Sequence, residues 1–299
     1  MPDKLIVASA LEAALVLSGL VLLWCFFLSP SARARASQPM PLPYWDIPGY
    51  VFGLTIVRLF GVAFIIQLLA ASLLKKYAPD VPLDKGFGLL LSGFALQLGL
   101  LLGLGVSWVL LKSNRFQAQL NVAINPAAVQ LPEPLPLSRI PFAGIATFLI
   151  MIALIAPIAL LWPVLLEQFG HTPKPQEVVE LFTAADSTAQ LLSMMLFATI
   201  IAPITEELIF RFGIFRYLRG RVPRSVVFIL PALMFAAAHQ SLTAGLPLFV
   251  FGLIQAVAYE RTGRIAVPMI AHGLFNLHTA LFLMTGTDPY SALINRLAP

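Results

Sequence analysis

The segment "APITEELIFRFG", Ala202 to Gly213, sets Glu206 and Glu207 side by side and Arg211 four residues further on, inside a strongly apolar stretch. On a helix, Glu207 and Arg211 stand i, i+4 and share a face, so they can pair. Glu206 is turned about 100° away and is not neutralised by that geometry. One carboxylate therefore reads as structural and the other as free for chemistry. The chain has four histidines, His171, His239, His272 and His278. Two of them stand in i, i+4 pairs within apolar segments: Phe235 with His239 in "FAAAH", and His272 with Asn276 in "HGLFN". Polar groups buried in an apolar medium must find partners, and the cheapest partners here are one another. A carboxylate and an imidazole around one water can deprotonate it for attack on a carbonyl. An imidazole and an amide on a facing helix can donate to the developing oxyanion. The set reads as hydrolysis of an amide or ester.

Other chemistries are open on the same residues. Glu206, His239 and His272 also offer donor atoms for zinc, although "HExxH", the strong zinc-protease pattern, is absent and Asn276 is an uncommon zinc ligand. A buried ion pair that fixes helix packing and an ionisable transport site at the membrane midplane are the bland and the competing readings. No "GxSxG" and no Gly-rich phosphate loop is present. The single cysteine, Cys25, forms no internal disulfide and lies far away in the first apolar run.

The elements that must carry these residues follow from composition. The chain is 59% hydrophobic and only 11% charged, against about 25% charged for soluble domains. It reads as an all-α, polytopic membrane bundle, because open sheet edges go unsatisfied in lipid. A crossing helix needs about 20 apolar residues. Eight segments are predicted: 5–29, 51–74, 87–111, 141–166, 188–212, 225–240, 244–259 and 265–285. The run from Leu5 to Leu28 is too long for a signal-peptide core and is expected to be a retained helix.

A boundary is placed at 139/140. It leaves an N-terminal three-helix region with its following loop (1–139) and a membrane core (140–299) whose motif-bearing helices occupy 187–285. The connections include a Pro-bearing loop ending in "NPAAVQLPEPLPLSR" and an acidic one with Glu167, Glu177, Glu180 and Asp186. Eleven Lys and Arg residues fall on one side: Arg33, Arg35, Lys112, Arg115, Arg139, Arg216, Arg219, Arg221, Arg224, Arg261 and Arg264. Six fall on the other: Lys4, Lys75, Lys76, Lys85, Lys174 and Arg296. The richer side is expected to be cytoplasmic. Nothing patterns as a nucleic-acid surface; the expected partners are the lipid bilayer and a peptide or protein substrate.

Glu12 and Arg58 are the other intramembrane charges. Their depths in an antiparallel hairpin differ by about 15 Å, so each is expected to snorkel or meet a cavity rather than pair with the other. His278 lies about 240° around the helix from His272 and is expected to face away from the site. His171 falls in a loop. Pro203 removes a helical donor and is expected to leave the Thr199 carbonyl free, opening space beside Glu206.

The three motifs in order, "EELIFR", "FAAAH" and "HGLFN", resemble those of the CPBP family of intramembrane proteases, EExxxR, FxxxH and HxxxN. That family includes the CAAX prenyl endopeptidases and the Abi relatives. "APITEELIFR" and "YERTG" (Tyr259 to Gly263) are similar to it as well. The resemblance covers residues 187–283. It implies Glu206 as general base and His239 as the residue orienting the water. It implies His272 and Asn276 at the oxyanion, and Glu207, Arg211 and Phe235 ordering the site. It also implies a site that opens toward the cytoplasm, in the plasma membrane. The family is widely labelled metalloprotease, yet the site also fits a glutamate-type protease. The metal-free form is expected; the zinc form would use Glu206, His239 and His272. A non-catalytic immunity or scaffold protein of the same fold is the alternative. Whether a substrate is prenylated is not readable.

Overall fold

The computed structural model describes residues 2–36, 40, 42–81, 86–112, 132–172, 182, 185 and 187–285. Lys85, Arg115, Lys174, Glu177, Glu180, Asp186 and Arg296 lie outside these residues, and with them most of the two long connections.

The described chain is helical, with no strand among the described residues. Helix α1, Pro2–Leu23, runs on as a π-helical turn over Trp24–Leu28, and α2 is the short Pro30–Ala36. Then come α3, Gly49–Tyr77, α4, Gly86–Lys112, and α5, Ile140–Gln168. The motif-bearing part holds α6, Thr188–Leu218, α7, Arg224–Ala238, α8, Leu242–Thr262, and α9, Ala266–Thr285. Seven of the described helices are long and apolar enough to cross a membrane. The protein is a polytopic helical membrane bundle, close to the eight-span expectation. The segment predicted at 225–240 is α7, whose 15 residues span about 22 Å, short of a hydrocarbon core of about 30 Å. It stops at His239, where the chain turns through Gln240 (φ 50°) into the Ser241 cap of α8.

Small residues set the closest packing. In the α3–α4 hairpin a Cβ at Gly99 would lie 2.4 Å from the Ala63 Cα, and one at Gly103 would lie 2.9 Å from the Leu59 Cα. This is the small-xxx-small device by which backbones approach where lipid supplies no hydrophobic drive. Arg58 donates to Ser107 Oγ on α4 at 3.4 Å and does not meet Glu12. Helix α5 is the spine of the bundle: α1 packs along it, and α8 and α9 pack against it. Met151 and Ile155 of α5 join Phe235, Phe251 and Ala271 in one buried cluster.

The residues before α3 reach the motif-bearing helices. Leu42 is buried among Phe215, Val227, Ala256 and Tyr259, and Trp45 Nε1 donates to the Phe212 carbonyl at 2.6 Å. Arginines close this end. Arg216 Nε donates to the Pro43 carbonyl at 3.0 Å. Arg221 donates to the carbonyls of Trp45 (2.5 Å), Tyr217 (2.7 Å) and Ile47 (2.8 Å). Arg261 reaches the Phe26 carbonyl and Arg264 the Leu135 carbonyl. These bonds gather the basic connections after α1, before α5, after α6 and after α8 at one end of the bundle.

Candidate active site

Helix α6 is irregular where the chemistry is expected. π-Helical turns at Phe197–Ile201 and Leu208–Phe215 flank the α-helical Ala202–Glu207. In the first of them the Ala202 N–H donates to the Phe197 carbonyl, five residues back. In that register the next donor is Pro203, which has no N–H. The carbonyl deprived by Pro203 is thus that of Ala198, one residue before the Thr199 expected from α-helical spacing. Asn276 Nδ2 takes it, at 2.8 Å. The neighbouring Thr199 carbonyl lies against Gly273, where an added Cβ would come within 2.4 Å of its oxygen. Helix α9 therefore docks on the proline-altered turn of α6 through Gly273 and Asn276, which sit in "HGLFN".

Glu207 is the hub of the site. It is completely buried, as is Arg211 to within 2%. Its Oε1 accepts from Arg211 NH1 at 2.9 Å, from His272 Nδ1 at 2.9 Å and from Gln255 Nε2 at 3.3 Å. Arg211 also donates to the Gly252 carbonyl at 3.3 Å and lies over the Phe235 ring, 4.6 Å from its centroid. That cation–π contact explains one use of Phe235. Its ring also stacks on Phe251 at 5.3 Å and contacts His239 at 4.7 Å.

Two imidazoles face Glu206. His239 caps α7, and its Nδ1 lies 2.8 Å from the Phe235 carbonyl. A carbonyl only accepts, so Nδ1 carries the proton and Nε2 is the free nitrogen. His272 Nδ1 likewise donates to Glu207. The two Nε2 atoms then stand 4.0 Å (His239) and 3.8 Å (His272) from the same oxygen, Glu206 Oε2. That oxygen is buried and takes no hydrogen bond from any described residue. Glu206, His239 and His272 are therefore brought together. Asn276 is one turn beyond His272 on α9, with one amide N–H engaged by Ala198.

Zinc can be tested against this spacing. At Zn–N and Zn–O distances of about 2.0–2.1 Å, tetrahedral ligand atoms lie about 3.3 Å apart. Here the carboxylate–imidazole separations are 3.8 and 4.0 Å. Among the described residues no group of three His, Cys, Asp or Glu side chains is placed to hold a metal. As spaced, these atoms stand wider apart than tetrahedral zinc ligands.

The remaining ionisable groups lie elsewhere. His278 points away from Glu206 and bonds Glu12 Oε2 through Nε2 at 2.8 Å, tying α9 to α1. His171 is exposed. Glu260 of "YERTG" is buried and is held by Arg219 and, through two bonds, by Arg224. Gln255 and the Glu12–His278 pair are polar contacts that sequence reasoning did not assign. The signal for Gln255 was an amide isolated in an apolar helix; its partner was not readable.

Residues 188–278, which contain every motif residue, match the family model described as Type II CAAX prenyl endopeptidase Rce1-like. The chain is similar to the membrane-embedded CAAX protease MroQ of Staphylococcus aureus (strain USA300), with 36% identity over 100 residues, 31% of this chain and 40% of that protein. The match thus spans less than half the length of this curated relative. No solved structure matches the chain.

Proposed function

We propose that this chain, whose residues 188–278 belong to the CPBP family of intramembrane proteases, is an intramembrane endopeptidase that hydrolyses a peptide bond with a water activated by Glu206. One observation carries the reading. Glu206 Oε2 is buried without a hydrogen-bond partner among the described residues, and two imidazole Nε2 atoms face it at 3.8 and 4.0 Å. Those gaps are too long for direct hydrogen bonds and suit a single water shared by the three atoms. A buried water needs two to four polar partners, and these are three.

In this mechanism Glu206 takes a proton from the water while His239 Nε2 accepts its other hydrogen and orients it. The water oxygen bonds to the scissile carbonyl carbon. The oxyanion is met by His272 Nε2–H, in the doubly protonated imidazole, and by the second amide N–H of Asn276. A carboxylate behind an imidazole stabilises the imidazolium, and Glu207 holds that place for His272. Glu206 then passes its proton to the leaving nitrogen as the C–N bond breaks.

The substrate is a membrane-resident or membrane-docked peptide or protein, prenylated or not. The arginine-rich end is cytoplasmic by the positive-inside rule, in the plasma membrane, with the site opening toward it. The reaction is metal-free in this proposal.

The test is cleavage of a peptide library by purified protein in lipid nanodiscs. Glu206→Ala is expected to lower kcat by about 10²–10⁴-fold, the range for a general base, with insertion and folding intact. A strong chelator is expected to leave the rate unchanged. Normal cleavage by well-folded Glu206→Ala would overturn the assignment and favour a non-catalytic protein of the same fold. Loss on chelation with recovery on zinc would overturn the metal-free form.

A further inference from the structure

Gln255 lies on α8, which carries none of the residues assigned to the reaction. Its side chain is completely buried, and its amide bridges two other helices. One N–H goes to Glu207 Oε1 on α6 at 3.3 Å, and the other goes to the Pro268 carbonyl at 2.9 Å. Pro268 is in the first turn of α9, four residues before His272. Both partners are acceptors, so the orientation of the amide is fixed by chemistry. Its carbonyl, Oε1, is left buried with no described partner.

That orphan oxygen is informative. A buried carbonyl without a hydrogen bond is destabilising, whereas an apolar side chain of similar shape carries no such penalty. For packing alone, Met or Leu would serve this position better. The contribution of Gln255 must come from its two N–H groups and what they join.

The geometry points to Gln255 as a positioning residue that locks Glu207 in register with the first turn of α9, so that the His272 Nδ1–H stays on Glu207 and its Nε2 stays turned to Glu206. The inference rests on the proposed protease reading for its consequence, although not for its geometry. Without the bridge, Glu207 Oε1 keeps Arg211 but is no longer tied to the turn that presents His272. The His272 ring then samples other rotations. Binding of substrate, which does not touch Gln255, is untouched.

With four histidines in the chain, the ring nitrogens of His272 are directly observable. Protein labelled with ¹⁵N-histidine and reconstituted in nanodiscs gives ring signals that His→Gln variants at positions 171, 239 and 278 assign. In wild type His272 is expected to show one Nδ1-protonated form. In Gln255→Met, and in Gln255→Leu as the second variant, the His272 signals are expected to shift or split while those of His171 and His278 stay. Against a peptide cleaved by wild type, kcat is expected to fall about 10-fold with KM unchanged in protein that remains folded, since the loss of the orphan carbonyl offsets part of the cost of the two lost donors. A purely structural Gln255 would lower melting temperature and activity together and leave the His272 ring signals alone. Unchanged His272 signals in folded Met and Leu variants would overturn the inference. If wild type cleaves no peptide, the protease reading fails, and the His272 spectrum still decides the positioning role.

Discussion

Glu207 Oε1 concentrates more hydrogen bonds than any other atom of the site, since Arg211, His272 and Gln255 all donate to it. Glu206, its neighbour in sequence, has an oxygen that takes none from the described residues. Adjacent carboxylates therefore have opposite duties, and substitutions should separate them. Arg211→Met strips Glu207 of its guanidinium donor and removes the bond to the Gly252 carbonyl. Breaking one partner of a buried pair costs about 3–5 kcal/mol, much of it from the charge left behind. The single variant should thus show a large drop in thermal stability. The double variant Glu207→Gln/Arg211→Met, which buries no charge at this pair, should recover part of it. Additive losses in a thermal-shift double-mutant cycle would show that the two residues are not coupled. The i, i+4 spacing made this pair legible in the sequence, because it depends on one helix alone. The third and fourth members, His272 and Gln255, depend on how three helices meet, which local spacing does not encode.

At the scale of elements, the docking of α9 on α6 rests on a defect. Pro203 and the π-helical register free the Ala198 carbonyl, and Asn276 fills the need. Sequence reasoning placed the free carbonyl at Thr199, because it assumed α-helical spacing; a π turn moves the vacated acceptor by one residue. The same contact requires Gly273. Gly273→Ala puts a methyl carbon 2.4 Å from the Thr199 carbonyl oxygen, a backbone atom that cannot rotate away. Overpacking of this kind costs about 1–3 kcal/mol. The response is α9 moving off α6, which carries His272 away from Glu206. Gly273→Ala is expected to lower kcat together with stability. Gly245→Ala, at a position open to space, is expected to do neither. Equal behaviour of the two variants in melting and cleavage assays would remove the close approach from the argument. Spans and motif helices were legible because each is a run of apolar residues. The end of α7 was legible as well: the segment predicted over 225–240 closes at Ala238, where His239, Gln240 and Ser241 interrupt the apolar run.

At the scale of the molecule, the part matched by the family, residues 188–278, is held by residues well outside it. His278, at its edge, bonds Glu12 of α1 at 2.8 Å. The sequence brought Glu12 and Arg58 together for comparison because their helices were taken as neighbours. The packing instead lays α1 along α5, within reach of α9. The arginines that suggested topology turn out to be fasteners as well. Arg221 donates to three carbonyls, two of them in the strap before α3, and Leu42 plugs the strap into the core at 2% exposure. Bonds from a charged donor contribute about 1.5–3 kcal/mol each when shielded, and less at an exposed arginine such as this one. The strap should therefore loosen locally on substitution without unfolding the bundle, since local opening draws on local contacts. Arg221→Met is expected to leave the melting temperature within a few degrees of wild type. Chymotryptic cleavage after Tyr44 and Trp45 should become about 10-fold faster, with Arg33→Met as the control that does not change it. Cleavage at the wild-type rate in Arg221→Met would show that Leu42 and the Trp45 indole bond to Phe212 hold the strap by themselves.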